Sequence, residues 1–260
     1  MFERWNVPRN LYQAARAQLG SVRNVYLSGN RIERKETFDR PELVLLLHGF
    51  FQTRNIWEVM EDRLRYDGFG VISFNLAGLF NRLNTRPVER VAAQIADKIQ
   101  GLANRHGFDA LHIVGHSKGG LIARRYIQHH GGDSFVKSLT TLGTPHHGTP
   151  TALVGLGLLA PIVSSAPDLL PRSRLVHALN RDPFPSQVPL TSIYSKADLV
   201  CPYWTSILHP RADQNVANFE VAEVGHSQLT WDAGVYKIVR DQLISASNAW
   251  QQRRTAVGGP

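Results

Sequence analysis

The stretch Gly115-His116-Ser117-Lys118-Gly119-Gly120 decides how the rest of the chain is read. It follows Leu111-His112-Ile113-Val114, an apolar run with the length of a buried strand. It precedes Leu121-Ile122-Ala123-Arg124-Arg125-Tyr126-Ile127, which reads as a helix. A serine at the tip of so tight a strand-to-helix turn is held in a strained backbone conformation. Its neighbours two residues away must lack side chains to let the chain pass, and Gly115 and Gly119 supply that space. Gly120 lets the helix pack close to the sheet. The turn aims the Ser117 hydroxyl above the strand ends and puts the Lys118 N–H at a helix N-terminus, where partial positive charge collects.

Working outward, strands and helices alternate. Glu42–Leu47 is a continuous apolar run after its first residue, as in a parallel strand buried on both faces, and His48-Gly49 ends it. Asn55–Tyr66 has helical spacing through Ile56, Val59, Met60 and Leu64, and Gly70–Phe74 is the next strand. Val88–Ala103 is strongly amphipathic, with Val88, Val91, Ala92, Ile95, Ile99 and Leu102 on one face. Gly131-Gly132 stops the helix after Ser117, and Val136–Leu142 is another strand. This alternation predicts an α/β fold with a doubly wound, mostly parallel sheet, and 1–260 reads as one domain.

The rhythm lapses over 151–189, which Pro161, Pro167, Pro171, Pro183 and Pro185 break into short pieces. A long insertion of this kind is expected to be a helical cap or lid. Leu190–Tyr194 and Asn218–Val224 read as further strands, Gln228–Leu243 as a final helix and Gln251–Pro260 as a frayed tail. Before the sheet, Leu11–Leu19 favours a helix and Asn24–Ile32 an edge strand.

Composition narrows the class. The chain has 260 residues, 43% of them hydrophobic and 19% charged, as in an ordinary folded domain. The formal charge of +8 comes mainly from scattered arginines. No basic run or nucleic-acid motif accompanies it, so nucleic acid is not an expected partner and weak attraction to anionic lipid surfaces is. The one cysteine, Cys201, excludes an intramolecular disulfide and reads as a small buried thiol. No signal-peptide pattern or membrane-spanning stretch is evident, which makes a cytoplasmic location the expectation.

A serine hydroxyl needs a base to take its proton and a third group to orient the base. In an open α/β sheet those partners lie past the carboxyl ends of strands. Asp198, just after Leu190–Tyr194, and His226, just after the last strand, meet that condition. His112 reads as a core histidine, His129 and His130 as a solvated helix end, and His48 as a residue pinning its loop. His177 and His209 lie in or near irregular segments. Asp168 and Asp182 fall in the cap, where capping or solvent roles fit better, and Asp213 precedes the last strand, at its wrong end. A developing oxyanion needs two preset N–H donors. Lys118 is one, and Phe50 is the other, with Phe51 as the fallback.

Taken together, these residues resemble the lipase-like branch of the α/β-hydrolase superfamily. The resemblance rests on His48-Gly49-Phe50, on Gly115–Gly120, on Thr141-Leu142-Gly143-Thr144-Pro145-His146-His147-Gly148-Thr149, on Asp198 with Val200 and Pro202, and on Gly225-His226. The chain order Ser, Asp, His is that of the superfamily. The Thr141–Thr149 stretch is similar to that of bacterial triacylglycerol lipases and related lipid esterases. The resemblance implies a triad of Ser117, Asp198 and His226, an oxyanion hole of Phe50 and Lys118, and no cofactor.

Lys118 departs from the pattern, standing where such lipases carry Met or Gln, and its side chain is expected to add positive charge at the site mouth. Adjacent His146 and His147 are poorly spaced to share an ion, so no metal is expected and the segment reads as a rigid turn. The implied activity is hydrolysis of small-molecule or lipid carboxylic esters with a lipophilic acyl or alcohol part. The same triad would also serve an acyltransferase or an amidase, and a binding module on the same fold is the alternative from another class.

Overall fold

The computed structural model describes residues 36–76, 83–152, 166–209, 211–212 and 214–256. The expected helix at Leu11–Leu19, the edge strand at Asn24–Ile32, the Leu153–Ala160 part of the cap and Asp213 lie outside the described residues.

Among the described residues six strands form one parallel sheet: β1 Leu43–Leu47, β2 Gly70–Ser73, β3 Leu111–His116, β4 Val136–Leu142, β5 Leu190–Ser195 and β6 Val216–Val221, in the order β2-β1-β3-β4-β5-β6. The alternating helices are α1 Glu58–Tyr66, α2 Val88–His106, α3 Lys118–His129, α4 Arg174–Arg181, the short α5 Tyr203–Ser206 and α6 Ala233–Ala256. Successive side chains of a strand point to opposite faces, and β1 is apolar in both directions because both faces are covered. Leu43, Leu45 and Leu47 pack with the apolar stripes of α2 and α3. Val44 and Leu46, on the other face, pack with Ile56, Trp57 and Met60 and with Val235, Val239 and Leu243 of α6.

The sheet grows from β1 toward β2 and then, in the opposite direction, toward β3. That reversal opens a crevice at the carboxyl ends of β1 and β3, where Gly49 and Ser117 meet. At the opposite end of the sheet, Glu42 Oε2 accepts hydrogen bonds from Lys137 Nζ at 2.8 Å and Ser247 Oγ at 2.8 Å, and lies 3.1 Å from His112 Nε2. Burial alone would raise the Glu42 pKa, but the His112, Lys137 and Ser247 contacts outweigh it and hold it at about 2.

Two boundaries differ from the sequence reading. The last strand is Val216–Val221 in place of Asn218–Val224. It is an edge strand with exposed and half-buried positions, so its apolar signal is diluted and slides toward Val224. The last helix starts later than Gln228 and runs on to Ala256, through much of the expected tail. Asp232 Oδ1 accepts from the Gly234 and Val235 N–H groups and starts it, while Ser227–Thr230 forms a separate 3₁₀ turn. An Arg254–Asp109 ion pair holds its far end.

Candidate active site

Ser117 caps α3 with φ 54° and ψ −124°, a conformation costly for any residue with a Cβ. Its N–H donates to the Leu142 carbonyl at 2.9 Å, and its carbonyl accepts from the Gly120 N–H at 3.1 Å and Thr144 Oγ1 at 2.9 Å. The flanking glycines are required by close approach. A Cβ on Gly115 would fall 2.7 Å from the Gly120 Cα, and one on Gly119 would fall 2.1 Å from the Leu47 carbonyl oxygen. The buried Cys201 thiol lies close to Ser117, and burial pushes that thiol well above its ordinary pKa.

Asp198 follows β5 in a turn that consumes one carboxylate oxygen. Oδ1 accepts from the N–H groups of Val200 at 2.9 Å and Cys201 at 2.8 Å. Oδ2 is left for the imidazole of His226, whose Nδ1 lies 2.7 Å away. Both side chains are buried. Gly143, at φ +54°, makes room for the pair: a Cβ there would lie 2.9 Å from Asp198 Oδ2 and 3.1 Å from His226 Nδ1. Ser117 and His226 are not hydrogen-bonded to each other, and such contacts are commonly loose until a substrate is seated.

The two candidate oxyanion donors belong to different elements. The Phe50 N–H makes no hydrogen bond among the described residues, whereas the Phe51 N–H donates to the Leu83 carbonyl at 2.9 Å. That separates the first choice from the fallback. The Lys118 N–H lies at the first position of α3. Its side chain corrects an expectation: it is wholly buried and adds no charge at the mouth. Nζ donates to the carbonyls of Asn84 at 2.7 Å and Arg86 at 2.6 Å. Burial lowers its pKa to about 7 against the opposing pull of Asp168. The length of the side chain carries it inward to carbonyls that no sequence pattern reveals.

The remaining histidines take structural places. His48 is buried, accepts the Leu76 N–H at Nε2 (2.9 Å) and faces the Gly49 carbonyl through Nδ1 (3.0 Å), and burial holds its pKa at about 4. His146 lies against Thr141 Oγ1 at 3.0 Å and Arg124 at 3.3 Å, and His147 Nε2 lies 2.8 Å from the Ile207 carbonyl. His177 and His209 are exposed, and His209 has its ring beside that of His147. Asp168 caps α2 by accepting the Val88 N–H at 2.8 Å. No group of three or more His, Cys, Asp or Glu side chains among the described residues is placed to hold a metal ion. No helix among them is long and apolar enough to cross a membrane.

The sequence reading missed Gly143, Asn84, Gln52 and His116. Asn84 Nδ2 donates to the His48 carbonyl at 2.8 Å and reaches the Gly49 carbonyl at 3.3 Å, bracing the turn that carries Phe50. Its positive φ of 47° is a structural mark without a local sequence signature.

The fold is that of a known class. The sequence model of the family described as alpha/beta hydrolase fold matches residues 42–233, and the chain belongs to that family. No curated protein matches the sequence significantly. Among solved structures, Bacillus licheniformis lipase BlEst2 in mature form superposes with a TM-score of 0.63 at 15% identity, over 83% of this chain and 96% of that one. A Paleococcus ferrophilus monoacylglycerol lipase gives 0.59 at 18%, over 80% and 96%. A thermophilic esterase from Thermogutta terrifontis gives 0.56 at 16%, over 80% and 91%. At these identities the similarity is one of fold.

Proposed function

We propose that this chain is a cofactor-independent serine hydrolase of carboxylic esters. The observation that carries the reading is the buried 2.7 Å pairing of His226 with an Asp198 whose other oxygen is saturated by backbone, beside a serine held at positive φ. Asp198 accepts from His226 Nδ1–H, which fixes the tautomer and leaves Nε2 as the basic nitrogen. Nε2 takes the Ser117 proton as Oγ bonds to the ester carbonyl carbon. The negative charge that moves onto the carbonyl oxygen is met by the N–H groups of Phe50 and Lys118. Collapse breaks the bond to the alcohol oxygen, which leaves with the proton from His226. Water then attacks the acyl-enzyme with His226 again as base, releasing the acid and restoring Ser117.

A lipophilic substrate is supported by Phe50 and Phe51, whose rings meet edge to face beside the crevice. Leu199 and Trp204, 55% and 58% exposed, present apolar surface on the segment after Asp198. With the net charge of +8, that surface suits weak association with anionic lipid.

The test is hydrolysis of p-nitrophenyl esters over a ladder of acyl lengths, together with fluorophosphonate labelling, in the wild type and Ser117→Ala. Activity and labelling lost in the variant support the reading. A wild type that neither labels nor hydrolyses any ester overturns it in favour of a binding module. Product analysis with a competing alcohol separates hydrolysis from acyl transfer.

A further inference from the structure

Gln52, His116 and the backbone of His226 form a buried bridge through the site. The Gly49 N–H donates to Gln52 Oε1 at 2.8 Å, which identifies that atom as the carboxamide oxygen. The same oxygen lies 2.9 Å from His116 Nδ1, and His116 Nε2 lies 3.0 Å from the His226 carbonyl oxygen. The His116 ring is fully buried, 4.5 Å from the ring of His226 and edge-on to Trp57. The candidate oxyanion turn, the strand that ends at His116 and the loop that carries His226 are joined by one side chain from each of two segments.

Proton counting shows that the ring is more than filler. Both nitrogens of His116 face oxygens that offer only lone pairs, and a neutral imidazole has one N–H to give. Only an imidazolium would satisfy both contacts. Burial and the neighbouring His226 and His48 disfavour that form. An apolar ring would fill this space without two acceptors competing for one N–H, but it would leave the buried His226 carbonyl oxygen without the contact it has here. The imidazole is accounted for by the two contacts it makes.

We propose that Gln52 and His116 are positioning residues that set the Gly49–Phe50 turn and the His226 loop relative to each other. The catalytic consequence rests on the hydrolase reading; the mechanical coupling rests on the geometry alone. The tests are therefore kinetics and amide hydrogen exchange on Gln52→Leu, His116→Phe and Gln52→Glu, with the wild type labelled by fluorophosphonate in parallel. His116→Phe keeps the ring packing against Trp57 and reports on the contacts even where Gln52→Leu does not fold.

In Gln52→Leu and His116→Phe, kcat should fall about tenfold or more with KM within about twofold, because misplaced groups cost rate without removing binding. Exchange should accelerate at residues 49–51 and also at 225–229, a segment to which Gln52 makes no hydrogen bond among the described residues. Gln52→Glu should retain protection at both segments, since a carboxylate accepts from Gly49 and His116 alike and favours the doubly protonated ring. Acceleration confined to the neighbourhood of residue 52, or loss of protection in Gln52→Glu equal to that in Gln52→Leu, overturns the bridge. If the wild type neither labels nor hydrolyses, the hydrolase reading fails while the exchange pattern still decides the coupling.

Discussion

Lys118 Nζ lies 2.7 Å from the Asn84 carbonyl, and the Asn84 carboxamide in turn holds the carbonyls of His48 and Gly49. The residue that donates one candidate oxyanion N–H thereby braces the turn that supplies the other. Lys118→Met removes this tie, and kcat should fall about tenfold. Stability should respond to pH. Burial lowers the Lys118 pKa from 10.5 to about 7, so between those values the unfolded chain holds a proton that the folded chain does not. The wild type gains stability as pH rises through that window, and loses it as pH falls back toward 7. Lys118→Met lacks the effect. Melting curves should show the difference in Tm moving in favour of the wild type between pH 7 and pH 10; a constant difference would rule the account out.

Ser117 at φ 54° stores strain that a glycine would not feel. Ser117→Gly should abolish activity and raise stability by about 1 kcal/mol, the relief of about 1–3 kcal/mol being partly offset by the entropy of glycine in the unfolded chain. Ser117→Ala keeps the Cβ and should not share the gain. Denaturant midpoints of the two variants decide it.

Gly143→Ala would force a Cβ against Asp198 Oδ2 and His226 Nδ1 from a backbone at φ +54°. The expected result is a loss of about 100-fold in kcat with a small change in KM, and a fall in Tm. Steady-state kinetics alongside a thermal melt measure both.

Asp198→Asn retains the shape of the side chain but offers an amide where His226 needs an acceptor. kcat should drop about 10³- to 10⁴-fold as the imidazole takes the wrong tautomer. Single-turnover acylation with an activated ester reads this step directly. A loss of less than about tenfold would remove Asp198 from the proposed role.

Acid should unfold this protein steeply. His48, held at about 4 by burial, and His116 and His146, held well below the usual histidine range by the same cause, are folded as neutral rings. As pH falls from about 6.5 toward 4 the unfolded chain takes up protons that the folded chain refuses, so stability declines across that window. The slope of unfolding free energy against pH should exceed one proton. A slope below one would mean that these rings charge without unfolding.

The alternation of strands and helices from Leu43 to Leu142 was legible because buried parallel strands are written as unbroken apolar runs. The candidates Ser117, Asp198 and His226 could be singled out because each follows a strand and has its own local signature, and Asp198 and His226 lie 2.7 Å apart. The β6 boundary was not, since an edge strand carries half the apolar signal. Lys118, Asn84, Gln52 and His116 were opaque for another reason. Their meaning lies in partners 32 to 110 residues distant, and no periodicity encodes a partner.

The cluster at Glu42 carries a consequence for the order in which the protein is made. Glu42 stands just before β1, yet one of its hydrogen bonds comes from Ser247, 205 positions later on α6. His112, too, meets Ser247 at 2.9 Å. A chain leaving a ribosome would carry this charged knot unfinished until α6 had cleared the exit, so the sheet is secured at its base only after more than two hundred further residues have followed Glu42.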